Sequence, residues 1–167
     1  YTFLHTLSLH DALPIYTIAS PLKDVTSTSL VSGLLTTESD YDLYRYDEPT
    51  YTWQNAKPGE GSTNFQNIEL GRGYLYANAE NTTLEFTGNI NTEDVNYTLT
   101  AQSEVLNGFH LVGNPYTHDI SFNHLSADAE LANGYYVLNG EGAWGAQILC
   151  QLKRFAYICP LIACIVS

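Results

Sequence analysis

The side chains best suited to chemistry are five carboxylates that lie close together in the chain: Glu38, Asp40, Asp42, Asp47 and Glu48. Clustered oxygen ligands in loops suit a hard cation such as Ca²⁺, so Asp40, Asp42, Asp47 and Glu48 are weak candidates for calcium ligands. Two carboxylates could also serve glycoside hydrolysis, but the sequence does not set their separation. A solvated strand edge, where charge opposes aggregation, explains the same run more simply. We therefore predict no bound metal and no cofactor.

Aromatic side chains offer a second kind of chemistry, because exposed rings on a β-sheet can stack on sugars. The chain has 13 tyrosines and 2 tryptophans. Successive residues of a strand point to opposite faces, so Tyr44 and Tyr46 should share a face that Arg45 does not. The same rings could instead fill the core and form cross-strand pairs. The candidate glycan-stacking residues are Tyr44, Tyr46, Trp53, Tyr74 and Tyr76.

The histidines provide a weaker signal. His118, Asp119 and His124 are close in sequence and could contribute to a metal site, although loop residues of this kind are more often solvated. His110 alternates on a predicted strand, and we expect it at the surface. The sequence contains no nucleophile elbow, zinc-protease, P-loop, dinucleotide-binding or EF-hand motif. We therefore assign no catalytic residues and expect a protein that is not an enzyme.

Composition narrows the class of protein. Of the 167 residues, 44% are hydrophobic and 14% are charged, and the net charge is -12. Abundant aromatic and β-branched residues favour a β-rich globular protein. The negative charge argues against nucleic acid as a partner, because phosphates attract Lys and Arg. It likewise disfavours anionic membrane surfaces, and we expect no membrane insertion.

Short alternating segments between turn signals indicate the elements that position these residues. Strands are predicted at residues 16–19, 41–46, 50–53, 74–77, 82–87, 95–99, 109–113 and 135–138, and the second and third of these should form a hairpin. Residues 26–35 and 126–132 have helix-like spacing. Short strands at this spacing predict an all-β fold, an antiparallel sandwich of jelly-roll-like type.

The chain also carries signs of an internal repeat. A short apolar strand ends at Pro21, and a similar strand ends at Pro115, which is 94 positions later. The same offset places Tyr135 on Tyr41, and Trp144 follows Trp53 by 91 positions. We interpret this as one β-rich repeat followed by a second copy that is truncated.

The two ends differ from the middle. Residues 6–15 resemble the translation of a common sequencing adapter, so residues 1–15 are predicted to be an artefact. Residues 147–167 contain all three cysteines, Cys150, Cys159 and Cys164, and no acidic residue. We interpret this tail as frame-shifted or foreign, a genuine hydrophobic strand being the alternative. The predicted division is residues 1–15, a first repeat at 16–104, a truncated repeat at 105–146 and the tail at 147–167.

The middle of the chain contains six segments of a recognisable pattern: residues 18–21, 41–46, Trp53, 71–78, 83–88 and 108–115. In these segments it resembles a tandem repeat region of large secreted and outer-surface, adhesin-like proteins of anaerobic Gram-negative bacteria. Two departures are the absence of a Gly-Trp pair before the first opening strand and Phe109 in place of the usual Trp.

This resemblance implies a secreted or cell-surface location. It also implies a non-catalytic structural or adhesion role, with neighbouring repeats, glycans or host surface proteins as partners. The alternative is a carbohydrate-binding module that accompanies an absent enzyme.

Overall fold

The protein is strand-rich, as its sequence predicts. The computed structural model describes residues 15–23, 41–57, 65, 67–79, 86, 88–102, 108–121, 134–138, 144–148, 157–158 and 163–166. Within these residues the chain forms twelve strands and no helix, and every strand pair is antiparallel. The strands are β1 (Ile15–Ile18), β2 (Leu22–Lys23), β3 (Tyr41–Asp47), β4 (Thr52–Asn55), β5 (Tyr74–Asn78), β6 (Asn89–Ile90), β7 (His110–Gly113), β8 (Ile120–Ser121), β9 (Gly134–Leu138), β10 (Trp144–Ile148), β11 (Tyr157–Ile158) and β12 (Ala163–Val166). The all-β prediction is confirmed.

The first sheet has the strand order β1-β5-β3-β4. The predicted hairpin is present, since Tyr46 of β3 lies opposite Trp53 of β4. β3 also pairs with β5, where Leu43 lies opposite Tyr76. β3 is therefore central, and its period-two alternation places its side chains on two faces that are both largely covered.

One face of this sheet carries the main core. Tyr41 and Leu43 of β3 pack with Tyr74 and Tyr76 of β5 and with Ile18 of β1. Three further buried residues complete this cluster: Ala56, Phe65 and Ile68. Leu43 and Tyr74 are fully buried, so apolar burial and ring packing together stabilise this side of the sheet.

The opposite face packs against β7. Leu75 and Leu111 are buried together, and Ile15, Tyr44 and Trp53 pack against them. Backbone bonds support the contact, because the Gly73 amide donates to the Leu111 carbonyl at 2.9 Å and the Gly113 amide to the Gly71 carbonyl at 3.0 Å. Gly113 must be glycine here, since a Cβ would overlap the Cβ of Ala19 and lie 3.0 Å from the Arg72 carbonyl oxygen.

The second four-stranded sheet has the order β10-β9-β12-β7. β12 pairs with β7 on one side and with β9 on the other. Two smaller sheets join β2 to β6 and β8 to β11. The predicted tail starts at residue 147, which lies inside β10, and both β11 and β12 belong to this tail.

One predicted strand is wrong. Residues 95–99 form no strand, and the backbone directly after them bonds to side chains rather than to another strand. The Thr100 amide donates to the His110 ring, and the Gln102 amide donates to Glu48. The predicted strand at 82–87 and the helices at 26–35 and 126–132 lie wholly or largely outside the described residues. The described residues include no helix with the length and apolar character needed to cross a membrane.

Candidate functional site

The described acidic candidates do not converge on one point. Asp42 accepts hydrogen bonds from Asn55 Nδ2 at 3.0 Å and from the Tyr44 hydroxyl at 3.4 Å. Asp47 is on the other face of β3 and accepts a bond from the Thr50 hydroxyl. Asp40 lies outside the described residues. The part of the chain that the structure describes contains no group of three or more His, Cys, Asp or Glu side chains arranged to hold a metal ion.

Glu48 differs from the other carboxylates because it is buried, with 1% of its surface exposed. Its carboxylate accepts a bond from the Thr100 hydroxyl at 2.6 Å and one from the Gly108 amide at 3.1 Å. The Gln102 amide lies 2.9 Å and 3.2 Å from the two carboxylate oxygens. A buried carboxylate is tolerated where several donors replace water. Glu48 therefore joins the end of β3 to Thr100, Gln102 and Gly108.

His110 extends this polar cluster, and its predicted place at the surface is wrong. Its exposed fraction is 6%, because Tyr97 packs edge-on against the ring at 5.9 Å between centroids. The ring nitrogen Nε2 lies 3.0 Å from the Thr100 amide nitrogen and 2.8 Å from the Thr100 carbonyl oxygen. Either tautomer therefore finds a partner on Thr100. Thr100 is held on one side by Glu48 and on the other by His110.

A second charged cluster centres on Glu69. Arg45 Nη1 lies 3.0 Å from one carboxylate oxygen of Glu69, and Arg72 Nε lies 3.2 Å from the other. The Arg45 guanidinium lies over the Phe65 ring and the Arg72 guanidinium over the Tyr97 ring. Burial by itself would lower the pKa of Arg72, but Tyr97 and Glu69 outweigh it, so the pKa is raised. Both arginines thus lie beside one carboxylate.

The five candidate stacking rings do not form one exposed row. Tyr74 and Tyr76 lie on the core face of the first sheet, and Tyr44, Tyr46 and Trp53 lie on the opposite face. Tyr44 and Tyr46 thus share a face that Arg45 does not, as predicted. Tyr74, Tyr76 and Tyr46 are buried, whereas Tyr44 and Trp53 are partly exposed.

Burial changes the acidity of Tyr74. Its hydroxyl accepts a bond from the Glu69 amide at 2.9 Å. Removal from water raises the pKa of Tyr74 well above its ordinary value of 10.0, and the Glu69 amide opposes this only in part. The phenol is therefore a neutral core group.

Two exposed tyrosines, Tyr16 and Tyr51, are not among the predicted stacking residues. Tyr51, in the turn between β3 and β4, is 43% exposed and has a φ of 53°. It packs edge-on against Tyr46 at 6.4 Å, and Tyr46 lies 5.2 Å from Trp53. The conformation of the turn sets the φ of Tyr51, and the local sequence does not predict this conformation or the direction of the ring. Tyr51 and Trp53 are the rings near this turn that retain exposed surface.

The histidine candidates occupy a loop after β7. The Asn114 side chain bridges this loop, accepting from the Tyr116 amide at 2.9 Å and donating to the His118 carbonyl at 2.7 Å. The exposed His118 ring stacks on Tyr116 at 5.4 Å, and Asp119 is exposed beside it. His124 lies outside the described residues.

Comparison with known proteins does not place the chain in a family. No protein-family model matches it, and neither the curated proteins nor the solved structures contain a significant match.

Proposed function

We propose that this chain is a non-catalytic structural or adhesion module of a secreted bacterial surface protein. In this proposal residues 16–104 form an antiparallel sandwich of jelly-roll-like type, which a truncated second copy follows. The observation that carries it is the use of Glu48, whose carboxylate accepts bonds from Thr100, Gln102 and Gly108. A carboxylate so enclosed fastens one chain segment to another.

The second charged cluster supports the same role. Arg45 and Arg72 are held by Glu69 and by aromatic rings. The net charge of the chain is -12, which suits basic or neutral partners. Neighbouring repeats, glycans and host surface proteins are the proposed partners.

Adhesion can be tested with beads that carry the purified chain. Beads should adhere to epithelial cell monolayers more strongly than beads coated with albumin. Protease treatment of the cells should remove the adhesion if the partner is a protein, and periodate treatment should remove it if the partner is a glycan. Adhesion equal to that of albumin beads under all conditions would contradict an adhesive role and leave the structural one.

A second candidate function, carbohydrate binding, is favoured by Tyr51. This ring is exposed beside Tyr46 and Trp53, and rings with one free face can stack on the apolar face of a sugar. In this version the contact residues are Tyr51 and Trp53 at the turn, and the buried Tyr74 and Tyr76 take no part.

A glycan array distinguishes the two candidates. If the turn binds sugars, the wild-type chain should bind a defined set of glycans and Tyr51→Ser should lose that binding. Tyr16→Ser is the matched control, since Tyr16 is exposed to a similar extent on β1. Equal binding by wild type and Tyr51→Ser, or no binding to any glycan, would exclude this turn as a sugar site.

A further inference from the structure

The two four-stranded sheets share one strand order. The first is β1-β5-β3-β4, and the second, taken from its other edge, is β7-β12-β9-β10. β7 then corresponds to β1, β9 to β3 and β10 to β4, as the repeat in the sequence predicts. β12 takes the place of β5.

The strand registers agree with this correspondence. Trp53 lies opposite Tyr46, and Trp144 lies opposite Leu138. Leu138 follows Tyr46 by 92 positions, so the strands align at 92 rather than at the offset of 94 suggested by the tyrosines.

The register of β12 provides an internal check. In the pairing of β12 with β7, Val112 lies opposite Cys164, and in the pairing of β5 with β1, Ile18 lies opposite Tyr74. In the pairing of β12 with β9, Tyr136 lies opposite Ile165, and in the pairing of β5 with β3, Tyr44 lies opposite Leu75. Both comparisons place β12 on β5 at an offset of 90. Two different neighbours therefore give the same alignment.

The turns after β1 and β7 correspond as well. The Leu22 amide donates to the Ser20 hydroxyl two residues before it, and the Tyr116 amide donates to the Asn114 side-chain oxygen two residues before it. Ser20 and Asn114 are 94 positions apart, the offset of the two opening strands.

The corresponding positions Ala19 and Gly113 contact each other across the boundary between the sheets. One pair of contacts is also exchanged, since β5 contacts β7 and β12 contacts β1, whereas the contact of β3 with β7 has no counterpart of the same extent between β9 and β1. A residue meets its own counterpart, with contacts exchanged in this way, where two copies are related by a two-fold axis.

We infer that the face of the first sheet around Ala19, Leu75 and Trp53 is a docking surface for a second repeat unit. The two units pack around a local two-fold axis between Ala19 and Gly113, and Ala163–Val166 belongs to the second unit. This surface accepts a unit that has glycine, not alanine, at the position corresponding to Ala19. An alanine at both central positions would make the two Cβ atoms overlap, whereas Ala19 fits against Gly113. This inference does not depend on what the module adheres to.

A swap of the central pair in the full chain tests the interface. Gly113→Ala should lower the ratio of folded to unfolded protein by roughly tenfold or more in urea titrations, because overpacking strains the contact. Adding Ala19→Gly should restore part of that loss, since it removes the overlapping Cβ, while the new Cβ at position 113 still lies 3.0 Å from the Arg72 carbonyl oxygen. Ala56→Gly is the matched control, a buried alanine remote from Gly113 in the core of the first sheet. If adding Ala19→Gly to Gly113→Ala restores no more stability than adding Ala56→Gly does, the inference is overturned.

The assignment of β12 has its own test. Ile165→Pro removes a backbone donor from the strand between β7 and β9. Hydrogen exchange should then show faster exchange in residues 110–113 and 134–138. Unchanged protection there would show that the end of the chain is no part of the second unit, and would overturn the inference.

Discussion

The carboxylate of Glu48 and the hydroxyl of Thr100 lie 2.6 Å apart, although 52 positions separate them in the chain. Glu48 directly follows β3, and Thr100 lies in a segment that forms no ladder of its own. The bond therefore ties an irregular segment to the central strand of the first sheet. His110 holds the same threonine through its backbone, so β3, residues 100–102 and β7 meet at one buried polar cluster.

Glu48→Gln should destabilise the protein. The glutamine amide nitrogen is itself a donor. It would face one of the hydroxyl or amide groups that now donate to the carboxylate, and two donors cannot bond to each other. A buried polar group left without its partner costs about 1–3 kcal/mol, so the free energy of unfolding should fall by about this amount. Urea denaturation checks it, with Asp94→Asn at an exposed position as the control. Equal stability of Glu48→Gln and wild type would contradict the role given to Glu48.

Tyr74 makes stability depend on alkaline pH. Its pKa is raised in the folded state, so the unfolded chain releases the phenolic proton first. The stabilisation is fully present below the unfolded pKa of about 10 and is lost above it, at about 1.4 kcal/mol per pH unit.

Tyr74→Phe removes the phenolic hydroxyl and with it this dependence of stability on pH. The variant should be less stable at pH 7 by about 1 kcal/mol, because the Glu69 amide loses its acceptor. Between about pH 10 and pH 12 the gap to wild type should narrow and then reverse, since only the wild type still loses stability through this residue. Denaturation series across this pH range provide the measurement. Parallel curves for the two proteins would show that Tyr74 does not titrate as described.

The sequence predicts where strands lie better than it predicts which face of a sheet is buried. The alternation in residues 41–46 predicts β3 correctly, because a local pattern of period two is sufficient to specify an extended strand. The same pattern does not say which face is buried. β7 covers the face that bears Tyr44, Tyr46 and Trp53, and this contact joins residues far apart in the chain.

The errors in the candidate site have the same origin. His110 alternates as a surface residue would, yet Tyr97 covers it from a segment that was predicted to be a strand. Residues 95–99 also alternate, but their neighbours bond to Glu48 and His110 rather than to another strand. Both outcomes depend on distant side chains, which a local pattern does not contain.

The backbone at Tyr51 provides a test of strain in the turn. Its φ of 53° is a left-handed conformation that a Cβ disfavours by about 1 kcal/mol or more. Tyr51→Gly and Tyr51→Ala both remove the ring that packs on Tyr46, and they differ only in the Cβ. The glycine variant should therefore be more stable than the alanine variant by about 1 kcal/mol in thermal or urea denaturation. An alanine variant of equal or greater stability would rule out strain at this position.

Glu69 is itself 47% exposed, but it should matter more than an acidic residue with a single exposed partner, because two arginines share it. Glu69→Gln removes the charge that holds Arg45 and Arg72, whose side chains are only 21% and 20% exposed. We expect a loss of about 1–2 kcal/mol in the free energy of unfolding, above the range of an isolated surface pair, because a charge-assisted hydrogen bond from Arg45 and the ion pair with Arg72 are both lost. Glu93→Gln is the matched control, since it breaks the pair with Lys23 at a side chain that is 76% exposed, and it should change stability by less than about 0.5 kcal/mol. Added salt should weaken the effect of Glu93→Gln more than that of Glu69→Gln, because screening acts mainly on exposed charges. Equal losses for the two variants would mean that the Glu69 cluster contributes no more than an ordinary surface ion pair.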